Sequence, residues 1–128
     1  MSEQEIKLLI VDDEEDILEE TKEILEKKGF TVFTAVDSDR ALEVSQKERP
    51  NIYILDIHMP KSKLDGIRIL EEIRKTDKNS YCIMLSRVDE QDKIEAARAL
   101  GANRYILKPI DYPDLLALIN EAAKAVNK

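Results

Sequence analysis

Short apolar runs alternate along this chain with longer stretches whose apolar residues recur at helical spacing. Ile6 to Val11, Thr31 to Ala35, Ile52 to Leu55, Tyr81 to Leu85 and Arg104 to Leu107 read as strands. The third run, Ile52-Tyr53-Ile54-Leu55, has no polar alternation, which predicts a strand buried on both faces. Helix one spans about Glu15 to Lys28, with Ile17, Leu18, Thr21, Ile24 and Leu25 as its stripe and Gly29 as its stop. Ser38 is the expected N-cap of helix two, which carries Ala41, Leu42 and Val44 and ends before Pro50. Gly66 opens helix three, with Ile67, Leu70 and Ile73 inward. Helix four runs from about Glu90 to Leu100, with Ile94, Ala97 and Leu100 inward and Gly101 after it. Tyr112-Pro113 begins helix five, whose expected stripe is Leu116, Ile119, Ala123 and Val126. Strand followed by helix, five times over, predicts an α/β domain across residues 1–128. Its strands are parallel, its crossovers right-handed, and helices cover both faces of the sheet.

Composition narrows the class. The chain has 128 residues, 43 % of them hydrophobic, which suits one core and excludes a disordered chain. No apolar run approaches the roughly 20 residues that span a bilayer. Met1 to Glu5 is polar and acidic, unlike a signal or transit peptide. Cys82 is the only cysteine and lies in an apolar run, so a buried core role and a reducing cytoplasm are expected. The net charge of −7 comes without a basic stripe, which argues against direct nucleic-acid binding.

Chemistry gathers where strands end. Strand one runs into Asp12 and Asp13, strand three into Asp56, strand four into Ser86 and strand five into Lys108. Open α/β sheets bind ligands at the carboxyl ends of their strands. With strands one, three, four and five adjacent, about 4.8 Å apart, these groups share one crevice. Clustered carboxylates resist ionisation unless cations compensate. Lys108 is one such cation, and all-oxygen ligation suits Mg²⁺ or Mn²⁺ as another. A carboxylate nucleophile beside a metal, a hydroxyl and a lysine is equipment for phosphoryl transfer. Each residue also has a plainer reading. Asp12 and Asp13 could cap helix one, and Asp56 could be a turn residue. Ser86 and Lys108 could be ordinary loop residues, and Tyr105 an edge aromatic. His58, the only histidine, is expected to face solvent rather than to ligate metal through its ring.

Five segments together resemble the receiver domains of two-component response regulators. They are Val11-Asp12-Asp13-Glu14, Leu55-Asp56-Ile57-His58-Met59-Pro60, Asp65-Gly66, Met84-Leu85-Ser86 and Gly101-Ala102-Asn103-Arg104-Tyr105-Ile106-Leu107-Lys108-Pro109. The resemblance covers essentially the whole chain. It implies a flavodoxin-like (βα)5 fold with strand order 2-1-3-4-5. It implies that Asp56 takes a phosphoryl group from a phosphohistidine of a sensor histidine kinase or histidine phosphotransfer protein. Asp13 and Asp56 would ligate Mg²⁺ directly, Asp12 through water, and His58 through its backbone carbonyl. Ser86 and Lys108 would engage the phosphoryl group, and Tyr105 would be the aromatic switch. The face formed by helix four, strand five and helix five would then address an output partner, as a monomer or a phosphorylation-dependent dimer. Such a domain assists its own phosphorylation and dephosphorylation without being a turnover enzyme. The Lys108-Pro109 bond is expected to be cis.

Three features depart from the common form. Five residues, Lys61 to Asp65, separate Pro60 from Gly66 where three are usual. Arg87 follows Ser86 where alanine or glycine is normal, and Val88 stands where a polar residue is frequent. Arg87 is expected to restrict access to the phosphoryl group or to contact it, altering its lifetime. Three rivals remain. A phosphatase working through an aspartyl phosphate would want an Asp where His58 stands. A flavodoxin-like electron carrier needs a phosphate cradle where Asp12 to Glu15 would repel phosphate. A degenerate receiver would act as a phosphorylation-independent binding module.

Overall fold

In a computed structural model, which describes residues 5–87 and 89–126, the strands are β1 (Lys7–Val11), β2 (Thr31–Ala35), β3 (Ile52–Asp56), β4 (Tyr81–Ser86) and β5 (Arg104–Leu107). They form one parallel sheet in the order β2-β1-β3-β4-β5. The helices between and after them are α1 (Glu15–Lys27), α2 (Ser38–Glu48), α3 (Gly66–Arg74), α4 (Gln91–Ala99) and α5 (Tyr112–Val126). The fold is thus the five-unit α/β sandwich expected. The readings of Met1 to Gln4 and of Val88 lie outside the described residues. No helix among the described residues is long and apolar enough to cross a membrane.

Strand residues alternate between two cores. Leu9, Val11, Tyr53, Leu55, Cys82 and Met84 face α2, α3 and α4. Leu8, Ile10, Ile52, Ile54, Ile83 and Leu85 face α1 and α5. Every residue of β3 is buried, as its unbroken apolar run predicts. Cys82 is a fully buried core residue, and burial pushes its thiol up to about 11.

Several local expectations need correction. Asp37, not Ser38, caps α2: its carboxylate accepts from the Arg40 amide at 3.0 Å, and Ser38 is buried in the first turn. On α1, Ile17 is 41 % exposed, because the inward face is set by Leu18, Thr21 and Leu25. The buried line of α5 is Leu115, Ile119 and Ala122, one residue off the expected stripe at two places; Leu116, Ala123 and Val126 pack at its flank. A helix as rich in apolar residues as α5 leaves the centre of its buried arc undetermined by spacing alone. On α4 only Ala97 is buried, with Ile94 and Leu100 half-buried.

Two interior devices position the site. Gly66 packs its backbone on that of β3: its amide donates to Ile57 O at 3.1 Å, and a Cβ there would meet Asp56 O at 2.4 Å. Arg74, at the end of α3, donates to Asp77 O, Ser80 Oγ, Ser80 O and Gly101 O, at 2.8 to 3.1 Å. It ties the start of β4 to the turn after α4.

Candidate phosphoryl and metal site

The register of the sheet brings the strand ends level. Val11 pairs with Leu55, Asp56 with Leu85, and Ser86 with Leu107. The ladder continues into the loops, since Ile57 N donates to Leu85 O at 2.9 Å and Lys108 N to Ser86 O at 2.7 Å. Asp12, Asp56, Ser86 and Lys108 therefore line one rim, as the strand ends predict. The Lys108-Pro109 peptide bond is cis.

Asp12, Asp13 and Asp56 each place one carboxylate oxygen within 4.8 Å of the others. Lys108 Nζ donates to Asp12 Oδ2 at 3.0 Å and stands 3.6 Å from Asp56 Oδ1. That second distance is an ion pair too long for a hydrogen bond, so Asp56 Oδ1 is buried without a hydrogen-bond partner. Desolvation pushes the Asp56 carboxyl up to about 6. Lys108 opposes the rise, and Asp12 and Asp13 add to it. At an effective dielectric near 20, two carboxylates at such spacing repel by on the order of 3 kcal/mol. Three carboxylates against one ammonium leave an uncompensated negative rim. Oxygen donors, excess negative charge and an orphaned Asp56 oxygen fit a hard divalent cation such as Mg²⁺ or Mn²⁺. Asp12, Asp13 and Asp56 could hold it.

The plainer reading of Asp12 and Asp13 as caps of α1 does not hold. Glu14 occupies the cap position, with no side-chain cap bond, and Asp12 Oδ1 instead accepts from the Glu14 amide at 3.0 Å. Ser86 is fully buried at the end of β4. Tyr105 is half-buried against the α2–α3–α4 core, and its hydroxyl is buried without a hydrogen-bond partner. The His58 side chain is 37 % exposed and stands outside the carboxylate cluster, as expected, although its Nε2 is buried 3.9 Å from Glu90 Oε1.

The extended loop is docked on α2. Ser62 Oγ accepts from the Ser38 amide at 2.8 Å and donates to Leu64 O at 2.8 Å. The Leu64 amide donates to Ser38 Oγ at 3.2 Å. Lys63 pairs with Asp39 at 3.5 Å. Sequence reasoning missed this clasp, as it missed Arg74 and Glu14. The signal for the clasp was two serines placed where neither is required by a turn. For Glu14 it was an acid beside the site, on the loop that Arg87 faces. Arg87 pairs with Glu14, and Lys93 of α4 with Asp65 at 3.4 Å. From Arg87 and Lys108 a cleft of about 560 Å³ runs between α1 and α5, floored by Ile10, Ile54 and Leu85.

Comparison with known proteins agrees with this architecture. The family model described as the response regulator receiver domain matches residues 8–120. The chain is 35 % identical over 109 residues to sporulation initiation phosphotransferase F of Bacillus subtilis, covering 85 % of this chain and 86 % of that protein. It is 34 % identical over 120 residues to the alkaline phosphatase synthesis transcriptional regulatory protein PhoP of the same species, covering 94 % of this chain but 48 % of the relative. The chain thus spans about half the length of the transcriptional regulators it matches. A CheY-like receiver domain from Methanospirillum hungatei superposes with a TM-score of 0.89 at 31 % identity, covering 95 % of this chain and 97 % of that one. With its strand order, its level rim of acids and a match running through all five units, the chain belongs to the response regulator receiver domains of two-component systems.

Proposed function

We propose that this chain is a Mg²⁺-dependent phosphoacceptor switch, phosphorylated on Asp56 by a phosphohistidine of a sensor histidine kinase or phosphotransfer protein. The observation that carries the reading is the Asp56 carboxylate. It is buried, has one oxygen without a hydrogen-bond partner, and is flanked by two more carboxylates and an ammonium. An Asp56 oxygen attacks phosphorus and the P–N bond to the donor imidazole breaks. The imidazole nitrogen keeps the electron pair and takes a proton, and an acyl phosphate forms. Asp12, Asp13 and Asp56 would hold Mg²⁺, with the His58 carbonyl as a further oxygen donor, and the cation would supply neutralisation of the phosphoryl oxygens. Lys108, already between Asp12 and Asp56, moves its pairing to the phosphoryl group, and the Ser86 hydroxyl donates to it.

Phosphorylation adds charge and acceptor oxygens at the rim. Drawing Ser86 toward them shifts β4 and its loop, and Tyr105 repacks beside α4. The face of α4, β5 and α5 is then offered to an output partner in a second arrangement. The domain is a switch and not a turnover enzyme, and it works in the cytoplasm. Intact mass after incubation with Mg²⁺ and acetyl phosphate tests the reading, with Asp56→Asn as control. One added phosphoryl group, dependent on Mg²⁺ and absent in the control, is expected. A folded chain that binds Mg²⁺ yet gains no mass from acetyl phosphate or from a phosphorylated histidine donor would refute it.

A further inference from the structure

Arg87 and Glu14 come from opposite sides of the carboxylate rim. Arg87 is the residue after β4, and Glu14 ends the loop between β1 and α1. Their side chains meet in an ion pair although 73 positions separate them. The same residue, with Lys108 and Asp12, lines the cleft between α1 and α5. Asp12 and Asp13, which immediately precede Glu14, cluster with Asp56, and Lys108, which shares the cleft with Arg87, stands 3.6 Å from Asp56 Oδ1. The pair therefore bridges two of the loops that border the Asp56 carboxylate.

We propose that the Arg87–Glu14 pair is a strap that selects phosphodonors by size and shields the acyl phosphate from water. The proposal rests on the phosphoacceptor reading above. Arg87 acts as a positioning residue here: its partner is Glu14, and the closed strap narrows the approach to phosphorus. A direct bond from Arg87 to the phosphoryl group is a different arrangement with an opposite kinetic signature. A strap slows both uptake and loss. A direct contact promotes uptake and slows loss.

Both side chains are substantially exposed, at 63 % for Arg87 and 43 % for Glu14. An exposed pair favours its closed arrangement by no more than about five-fold. The kinetic effect must accordingly be modest, about two- to five-fold, and sensitive to salt. Both reactions are balanced without further reagents. In uptake from acetyl phosphate, an Asp56 oxygen attacks phosphorus, the P–O bond to the acetyl group breaks, and acetate leaves with the electron pair. In loss, water attacks phosphorus, the P–O bond to Asp56 breaks, and the Asp56 carboxylate and inorganic phosphate separate, with water's proton passing to solvent.

The test measures rate constants of Asp56 phosphorylation from phosphoramidate, acetyl phosphate and phosphoimidazole, and of phosphoryl loss, for the full chain with Mg²⁺. Arg87→Ala and Glu14→Ala are each expected to raise uptake and loss by about two- to five-fold. Uptake should rise most for phosphoimidazole, the bulkiest of the three donors. The exchanged pair, Arg87→Glu with Glu14→Arg, should return the natural rates, and high salt should accelerate the natural chain more than either alanine variant. Slower uptake with faster loss in Arg87→Ala would place Arg87 on the phosphoryl group and overturn the strap. Unchanged rates in a chain that does phosphorylate on Asp56 would overturn the strap and leave the phosphoacceptor reading standing. Failure of both natural and variant chains to phosphorylate would overturn that reading, and the strap with it.

Discussion

Replacing Asp56 by asparagine should stabilise this protein in the absence of divalent cations, and the gain should vanish in acid. The carboxyl rises from 3.8 to about 6 on folding, with burial as the main cause. At about 1.4 kcal/mol per unit, ionised Asp56 costs at most about 3 kcal/mol of folding free energy. Asparagine has the same shape and no charge, so Asp56→Asn removes that cost. Below about pH 3.8 the acid is protonated in folded and unfolded chains alike, and the cost is absent. Between about 3.8 and 6 the folded chain binds more protons than the unfolded one, so stability falls as pH rises. Above about 6 the loss is complete and constant. Urea unfolding of both chains, with chelator, across pH 4 to 7.5 reads the difference, in which the other carboxylates largely cancel. A difference that is flat with pH, or a variant no more stable than the natural chain at pH 7.5, would refute the account of a desolvated, crowded carboxylate. Added Mg²⁺ should narrow the gap, because it stabilises the chain that keeps all three carboxylates more than the chain that has lost one.

Two further expectations follow from packing. Gly66→Ala forces a methyl group to within 2.4 Å of Asp56 O and 2.9 Å of Ile57 Cα, both backbone positions; a loss of about 2–3 kcal/mol in urea unfolding is expected, and a change under about 0.5 kcal/mol would mean that the start of α3 yields freely. Tyr105→Phe removes a buried hydroxyl that has no hydrogen-bond partner, so stability should hold or rise by about 1 kcal/mol; a loss above that in thermal unfolding would show that the hydroxyl is satisfied in solution.

The fold was legible because β3 is an uninterrupted apolar run and because each helix is punctuated by Gly or Pro at a predictable place. The site was legible because parallel strands put their last residues on one rim, which turns Asp12, Asp56, Ser86 and Lys108 into neighbours without knowledge of any loop. What resisted reading depends on contacts between loops. Serine suits a cap, which points to Ser38, whereas Asp37, one residue earlier, has the extended backbone that a cap requires. The Ser38–Ser62 clasp and the Arg87–Glu14 pair join positions whose separation carries no periodic signal. The approach of the part-exposed His58 ring to Glu90 is likewise unreadable, because Glu90 belongs to the entrance of a different helix. The face of α5 is displaced by one residue at two places because apolar side chains cover much of that helix, whereas on α1 the stripe holds except at Ile17.

Helix α4 is held unequally along its length. Beyond its C-terminal end, Gly101 O receives Arg74, and Asn103 Oδ1 accepts from the Cys82 amide at 2.9 Å. Both are bonds to the rigid sheet and to α3. Toward its N-terminal end, the ties are the ion pair of Lys93 with Asp65 and the approach of His58 to Glu90. Only Ala97, near the fixed end, is buried. Mechanically this is a beam clamped at one end and resting on exchangeable charges at the other. Were the acidic rim displaced, such a beam would tilt about its tied end instead of translating, and the surface that α4 shares with β5 would be re-aimed while the hydrophobic layers beneath the sheet stayed in register.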